Sequence, residues 1–157
     1  MNRLLGKILV LLISTVYLNA DSMFLLTKIN KAYLVVENYS SKLPMSIKEG
    51  IYEELKNTTD ELKIDTNGYG HRTFGVMLYD TMIDGKLLLN VELILGEEVK
   101  RLDDSEAVYA LTYEKRKQFT ISDKTFDEIE DELGDNIDLL LTDFTEQYIE
   151  DNEWKFY

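Results

Sequence analysis

FGVMLYDTMIDGKLLLNVELIL, residues 74–95, is the stretch from which the fold is read. Asp84-Gly85 is a two-residue hairpin signal, because both turn positions of a type I′ turn need positive φ and Asp-Gly tolerates it. Folding the chain back at these two residues sets Met82 opposite Leu87, Leu78 opposite Val91, Val76 opposite Leu93 and Phe74 opposite Leu95. All eight side chains then share one face. The other face pairs Tyr79 with Asn90 and Met77 with Glu92 and reads as mostly wettable. A slip of one residue would turn the whole apolar set toward water, so the register is strongly specified. Asp80 falls on the apolar face near Leu89, where it is either a buried acid or a wetted residue at a frayed hairpin end.

Working outward, Leu102-Asp103-Asp104-Ser105 predicts a second hairpin whose return strand covers about 107–121. In that strand Ala107, Tyr109, Leu111 and Tyr113 are expected on one side, followed by Phe119 and Ile121 after the basic run Lys115-Arg116-Lys117. Upstream, residues 32–39 are rich in β-branched and aromatic types and predict a first strand. Ser46 and Glu49 form an S-x-x-E capping box, and Ile47, Ile51, Leu55 and Leu62 continue it on one helical face, so a helix is expected over about 46–62. Gly50 weakens that helix by about 1 kcal/mol relative to alanine. Thr125 and Glu128 form a second capping box. After it, Phe126, Ile129, Leu133, Ile137, Leu140, Phe144 and Tyr148 recur at steps of three and four, which predicts one long helix continuing through Gly134. Strands with one apolar face need helices on that face. The expected fold is therefore α+β, a two-layer sandwich of an antiparallel sheet of about four strands and two helices, in the order β-α-β-β-β-α. The place of the first strand in the sheet is open.

The chain has 157 residues, no cysteine, one proline, ten tyrosines and a formal charge of −13. Aromatic richness and scarce proline exclude a disordered chain. Without cysteine there is neither a disulfide framework nor a lipid-bearing cysteine, and stability rests on packing. The N-terminus carries Arg3 and Lys7, then the apolar run Ile8–Leu18, then Asn19-Ala20 before the first acid, Asp21. This is the pattern of an export signal over 1–20, with a run too short for a comfortable membrane span. Leu18 is a poor residue three before the cut, so the alternative is an uncleaved anchor. The expected layout is a signal over 1–20 and a single domain over 21–157, periplasmic or secreted, with no integral membrane domain beyond the signal. Removing Arg3 and Lys7 takes the charge to −15, a balance that repels nucleic acid and anionic membranes and favours basic partners.

Chemistry-bearing constellations are sparse. His71 is the sole histidine, which leaves a zinc site or a nucleophilic triad without company. Asp65-Thr66-Asn67-Gly68-Tyr69-Gly70 fails as a calcium loop, since Tyr69 stands at an oxygen-ligand slot and Val76 at the glutamate position. No catalytic residue, metal or cofactor is expected. The acids, by contrast, are concentrated: thirteen Asp and Glu against Lys124 alone between Asp123 and Glu153. Solvation of a helix face explains such a run, and so does docking of a basic partner, for which Asp127, Asp131, Asp138 and Glu146 are the candidate residues. Loose Ca²⁺ or Mg²⁺ binding is a third explanation, although no ordered loop presents the carboxylates. Trp154, Phe156 and Tyr157 form an aromatic terminus, expected either to pack on the sheet edge or to anchor a partner. Lys115-Arg116-Lys117 is the one tight basic cluster, expected to discourage edge-to-edge aggregation, with pairing to the acidic helix or to an anionic ligand as the alternatives.

These features predict an exported, non-enzymatic accessory or binding protein of the cell envelope. The alternatives are an acidic inhibitor or immunity-type protein that neutralises a basic enzyme or toxin, and a carrier of small molecules or lipids. A carboxylate-dependent hydrolase is the least favoured. The oligomeric state is open.

Overall fold

The computed structural model describes residues 26–68 and 70–153. The expected signal segment and the aromatic terminus of Trp154, Phe156 and Tyr157 lie outside the described residues. The elements run β1 (Tyr33–Asn38), α1 (Ile47–Glu61), β2 (Arg72–Ile83), β3 (Lys86–Lys100), β4 (Ala107–Thr120) and α2 (Phe126–Glu153). One four-stranded sheet has the order β1-β2-β3-β4, and the fold is α+β.

The decisive hairpin forms in the expected register, with Phe74 opposite Leu95, Val76 opposite Leu93, Leu78 opposite Val91 and Met82 opposite Leu87. Asp84 and Gly85 both have positive φ, 51° and 75°, as the tight turn demands. The antiparallel expectation is corrected at β1, which pairs parallel to β2 and makes the sheet mixed. The cause is the intervening helix: α1 carries the chain back along the sheet, so β2 starts from the same end as β1, whereas the other strands turn back through short hairpins.

β4 departs from the expected alternation. Leu95 pairs with Tyr113 but Gly96 pairs with Leu111, leaving Thr112 as an extra residue in a bulge. The bulge reverses the facing of everything before it. Tyr113 is fully buried on the core side, while Tyr109 and Leu111 are exposed on the other, so the four-residue row expected on one side is split. Phe119 and Ile121 are buried as expected.

Both helices contribute to one hydrophobic core on a single face of the sheet. Leu34 and Val36 of β1, Ile51 and Leu55 of α1, the inward residues of β2 to β4, and Ile129, Leu133, Ile137, Leu140, Leu141 and Phe144 of α2 form it. Phe144 sits at its centre, its ring 4.4 Å from that of Phe74 and 5.4 Å edge-on from that of Tyr113. α2 is a single 28-residue helix through Gly134. Two ends of the predicted stripe are adjusted: Phe126 is 39% exposed, and Tyr148 is half-buried with its hydroxyl donating to the Ile29 carbonyl at 3.0 Å. Leu141 joins the buried row beside Leu140.

The two capping boxes part company. At α2, Thr125 N–H donates to Glu128 Oε2 at 2.8 Å and Glu128 N–H donates back to Thr125 Oγ1 at 3.4 Å. At α1 the box does not form. Ser46 has helical angles (φ −63°, ψ −22°) and makes no side-chain cap bond. Capping needs extended backbone at that position, and the chain instead winds in through tight turns, Ile47 N–H to Pro44 O and Lys48 N–H to Met45 O.

Candidate functional site

The spacing of Asp127, Asp131 and Asp138 places them on one flank of α2, because steps of four and seven return to nearly the same side of a helix. All three, and Glu146, are exposed. Of the thirteen acids between 123 and 153, three have structural work. Glu132 pairs with Lys124, Glu128 caps the helix, and Asp151 Oδ2 accepts from the Leu26 N–H at 2.6 Å. None of the others makes an ion pair among the described residues. The last turn carries no base, so the helix dipole leaves the acids at that end uncompensated.

Asp138 and Glu146 do not stand alone. They line a surface groove of about 470 Å³ between the two helices, together with Glu54 and Glu61 of α1. Asn57, Thr58, Thr142 and Thr145 complete its polar walls. Packing draws Glu54 inward. Burial and the facing Asp138 charge push its carboxyl above the usual glutamate range, and its Oε2 atom has neither exposure nor a hydrogen-bond partner. Glu54 and Glu61 were missed by reading α2 alone. Their seven-residue spacing puts them on one side of α1, but only the packing angle of the two helices tells which α2 residues they face. Asp127 and Asp131 lie nearer the start of α2 and do not line the groove.

The bare face of the sheet holds a second cluster that composition concealed. Asn90 and Glu92, expected to be wet, are only 2% and 8% exposed although no described helix covers them. Glu92 Oε1 accepts from the Tyr79 hydroxyl and from Arg116, each at 2.5 Å, and Arg116 also reaches Glu114 at 3.2 Å. The hydrogen bond to Glu92, with burial, raises the pKa of Tyr79, and the Glu92 charge raises that of Arg116 by favouring its protonated form. Asn90 donates to the Tyr79 carbonyl at 3.0 Å and to Thr81 Oγ1 at 2.8 Å, and accepts from Gln118 at 2.7 Å. Each group is held by its neighbours, so the cluster ties three strands together.

Two of the remaining candidates, Asp80 and Asp65, hold loops in place. Asp80 faces the core side as the register required, and its Oδ2 accepts from the Ser41 N–H at 2.8 Å and hydroxyl at 2.9 Å, fastening the loop after β1. Asp65 forms a turn by accepting from the Asn67 N–H at 2.9 Å, a bond that lowers its pKa. His71 is exposed, 3.5 Å from Glu98. No group of three or more His, Cys, Asp or Glu that could hold a metal ion occurs among the described residues. A hollow of about 560 Å³ lies against α1, lined by Val36, Lys48, Gly50 and Tyr52 among others, and opens broadly to the surface. No described helix is long and apolar enough to cross a membrane.

No protein-family model, curated protein or solved structure matches this chain.

Proposed function

We propose that this chain is an exported, non-enzymatic binding or accessory protein of the cell envelope, which meets a basic partner protein through the acidic flank of α2. The observation that carries the reading is the set of unneutralised carboxylates. Asp127, Asp131, Asp138 and Glu146 are exposed and have no ion-pair partner among the described residues, and Glu54 and Glu61 add to the same field where α1 meets α2. Like charges four apart on a helix cost roughly 0.2–0.5 kcal/mol each. A fold that keeps them, as with Asp127 and Asp131, gains from a cation supplied by a partner. The N-terminal charge and hydropathy pattern supports export, with delivery to the periplasm or the exterior. Trp154, Phe156 and Tyr157 supply, by their chemistry, the large apolar contacts that an acidic face lacks.

A partner that is itself a basic enzyme or toxin is the second reading, favoured by the polarity of the charge, since a one-sign face accelerates encounter. The test is affinity capture from the envelope fraction with the full chain, followed by binding of the captured protein to wild type and to a variant with Asp127→Asn, Asp131→Asn, Asp138→Asn and Glu146→Gln. The expected partner is basic, its affinity falls steeply with salt, and the variant loses that affinity while keeping its thermal midpoint. Equal binding by the variant overturns the reading. Turnover of the captured protein, measured with and without this chain, separates an inhibitor from an accessory protein.

A further inference from the structure

β4 is the last strand of the sheet, and among the described residues nothing pairs with its outer side. Ile121 N–H donates to the Leu87 carbonyl at 2.8 Å. In an antiparallel ladder alternate residues point their backbone groups to the same side. Tyr113, Lys115, Lys117 and Phe119 therefore direct their N–H and C=O toward β3, and Glu114, Arg116, Gln118 and Thr120 direct theirs outward. All four outward residues are exposed. The bulge at Thr112 ends this regular stretch on one side and the turn after Thr120 ends it on the other. What remains is an edge of about 20 Å with no strand paired to it among the described residues, a template for another extended chain.

Side chains decide which chain it accepts. Arg116 lies on the bare face and is already engaged by Glu92 and Glu114. Lys115 and Lys117 lie on the helix side and make no ion pair among the described residues; Lys115 is exposed and Lys117 half-buried. A second copy is disfavoured here, because antiparallel pairing about Arg116 sets Lys115 of one copy against Lys117 of the other, and like charges directly opposite repel. The same two lysines favour carboxylates at alternate positions, which is the spacing at which an extended segment presents side chains to one face.

We propose that the outer edge of β4, from Glu114 to Thr120, is a strand-addition site for an extended segment of another protein bearing acidic side chains at alternate positions. The segment gains backbone hydrogen bonds from the four outward residues and charge pairing from Lys115 and Lys117. This edge takes a partner of opposite character to the one proposed for the acidic flank of α2, so it stands or falls independently of that reading.

The test uses the full chain, labelled for NMR, and four synthetic seven-residue peptides. The first alternates Glu with Val and Thr, the second replaces each Glu by Lys, the third replaces it by Gln, and the fourth is the Glu peptide with its alternate backbone nitrogens methylated. The expected result is that the Glu peptide shifts the amides of Glu114, Arg116, Gln118 and Thr120, with affinity about tenfold above the Gln peptide. The Lys and methylated peptides produce no shifts there. The double variant Lys115→Glu/Lys117→Glu is expected to prefer the Lys peptide. Equal response to Glu and Lys peptides, binding of the methylated peptide as well as its parent, shifts confined to β1, or absence of binding each overturns the proposal. Should the double variant misfold, the wild-type peptide series decides alone.

Discussion

The two faces of the sheet are made by alternate residues of the same strands, yet they are held together by different physics. Phe74, Val76, Leu78, Val91, Leu93 and Leu95 point into a dry layer roofed by two helices. Gly75, Met77, Tyr79, Asn90, Glu92 and Gly96 point the other way, where no described helix lies. The roofed face depends on apolar volume. The bare face depends on close approach and on polar groups that satisfy one another, and its glycines show this most plainly. A Cβ at Gly75 would run into the carbonyl oxygen of Val35, and one at Gly96 would stand 2.5 Å from the ring of Tyr109, whose hydroxyl donates to the Gly96 carbonyl at 3.0 Å. An aromatic ring laid over a strand glycine substitutes for the missing side chain. The lesson is that a face without helices is not thereby a wet one.

Substitutions can break this contrast, and the largest effect belongs to the roofed face. Phe144→Ala is expected to lower stability by about 3–5 kcal/mol in urea unfolding, since it removes the ring on which Phe74 and Tyr113 converge. Next comes Gly75→Val, expected to cost about 1–3 kcal/mol by levering β1 away from β2. Hydrogen exchange in β1 should rise more than in β4, and uniform loss of protection would contradict that origin. Glu92→Gln should cost about 1 kcal/mol, as the shared carboxylate of Tyr79 and Arg116 becomes a neutral amide. A cost as large as that of Phe144→Ala would mean the bare face is not the lesser contributor.

The smallest effect sits at the rim of the helical roof and has the opposite sign. Glu54 binds its proton more tightly in the fold than in the unfolded chain, because burial and Asp138 oppose its charge. Stability therefore rises as pH falls from above its folded pKa down through the ordinary glutamate range. Glu54→Gln should raise Tm at neutral pH by about 1 °C, an advantage that fades on acidification. Glu128 behaves in reverse. Its cap bonds to Thr125 lower its pKa, so its stabilisation is present above the unfolded value and disappears as pH falls through the folded one. A Thr125→Ala variant should show a weaker acid transition in calorimetry at successive pH values.

How much was legible follows from how local each determinant is. The β2–β3 register was readable because its turn occupies two residues and its pattern runs uninterrupted to Phe74 and Leu95. The α2 row was readable for the same reason, with seven apolar residues in one phase. The bulge at Thr112 was not, because no residue type announces it and the pairing of Gly96 with Leu111 that creates it is nonlocal. The parallel placement of β1 was equally hidden, since it depends on how α1 crosses the sheet. At the candidate site, Asp127, Asp131, Asp138 and Glu146 were visible as exposed acids. Glu54 and Glu61 became neighbours of the last two only when the helices packed. The cluster around Glu92 was missed because alternation marked its residues as solvent-facing, and the pattern does not record that Tyr79, Arg116 and Gln118 converge on them.

The clasp between the start and the finish of the described fold has a further consequence. Leu26 is bonded through both backbone groups to the last turns of α2, to Asp151 by its N–H and to Asn152 by its carbonyl, and Tyr148 holds Ile29. The described fold thus brings its own start and finish together, and the point at which it opens can be moved. A permuted gene that joins Glu153 to Leu26 through a short bridge and opens the exposed loop at Leu102–Ser105 should yield the same strand pairing from a reordered message.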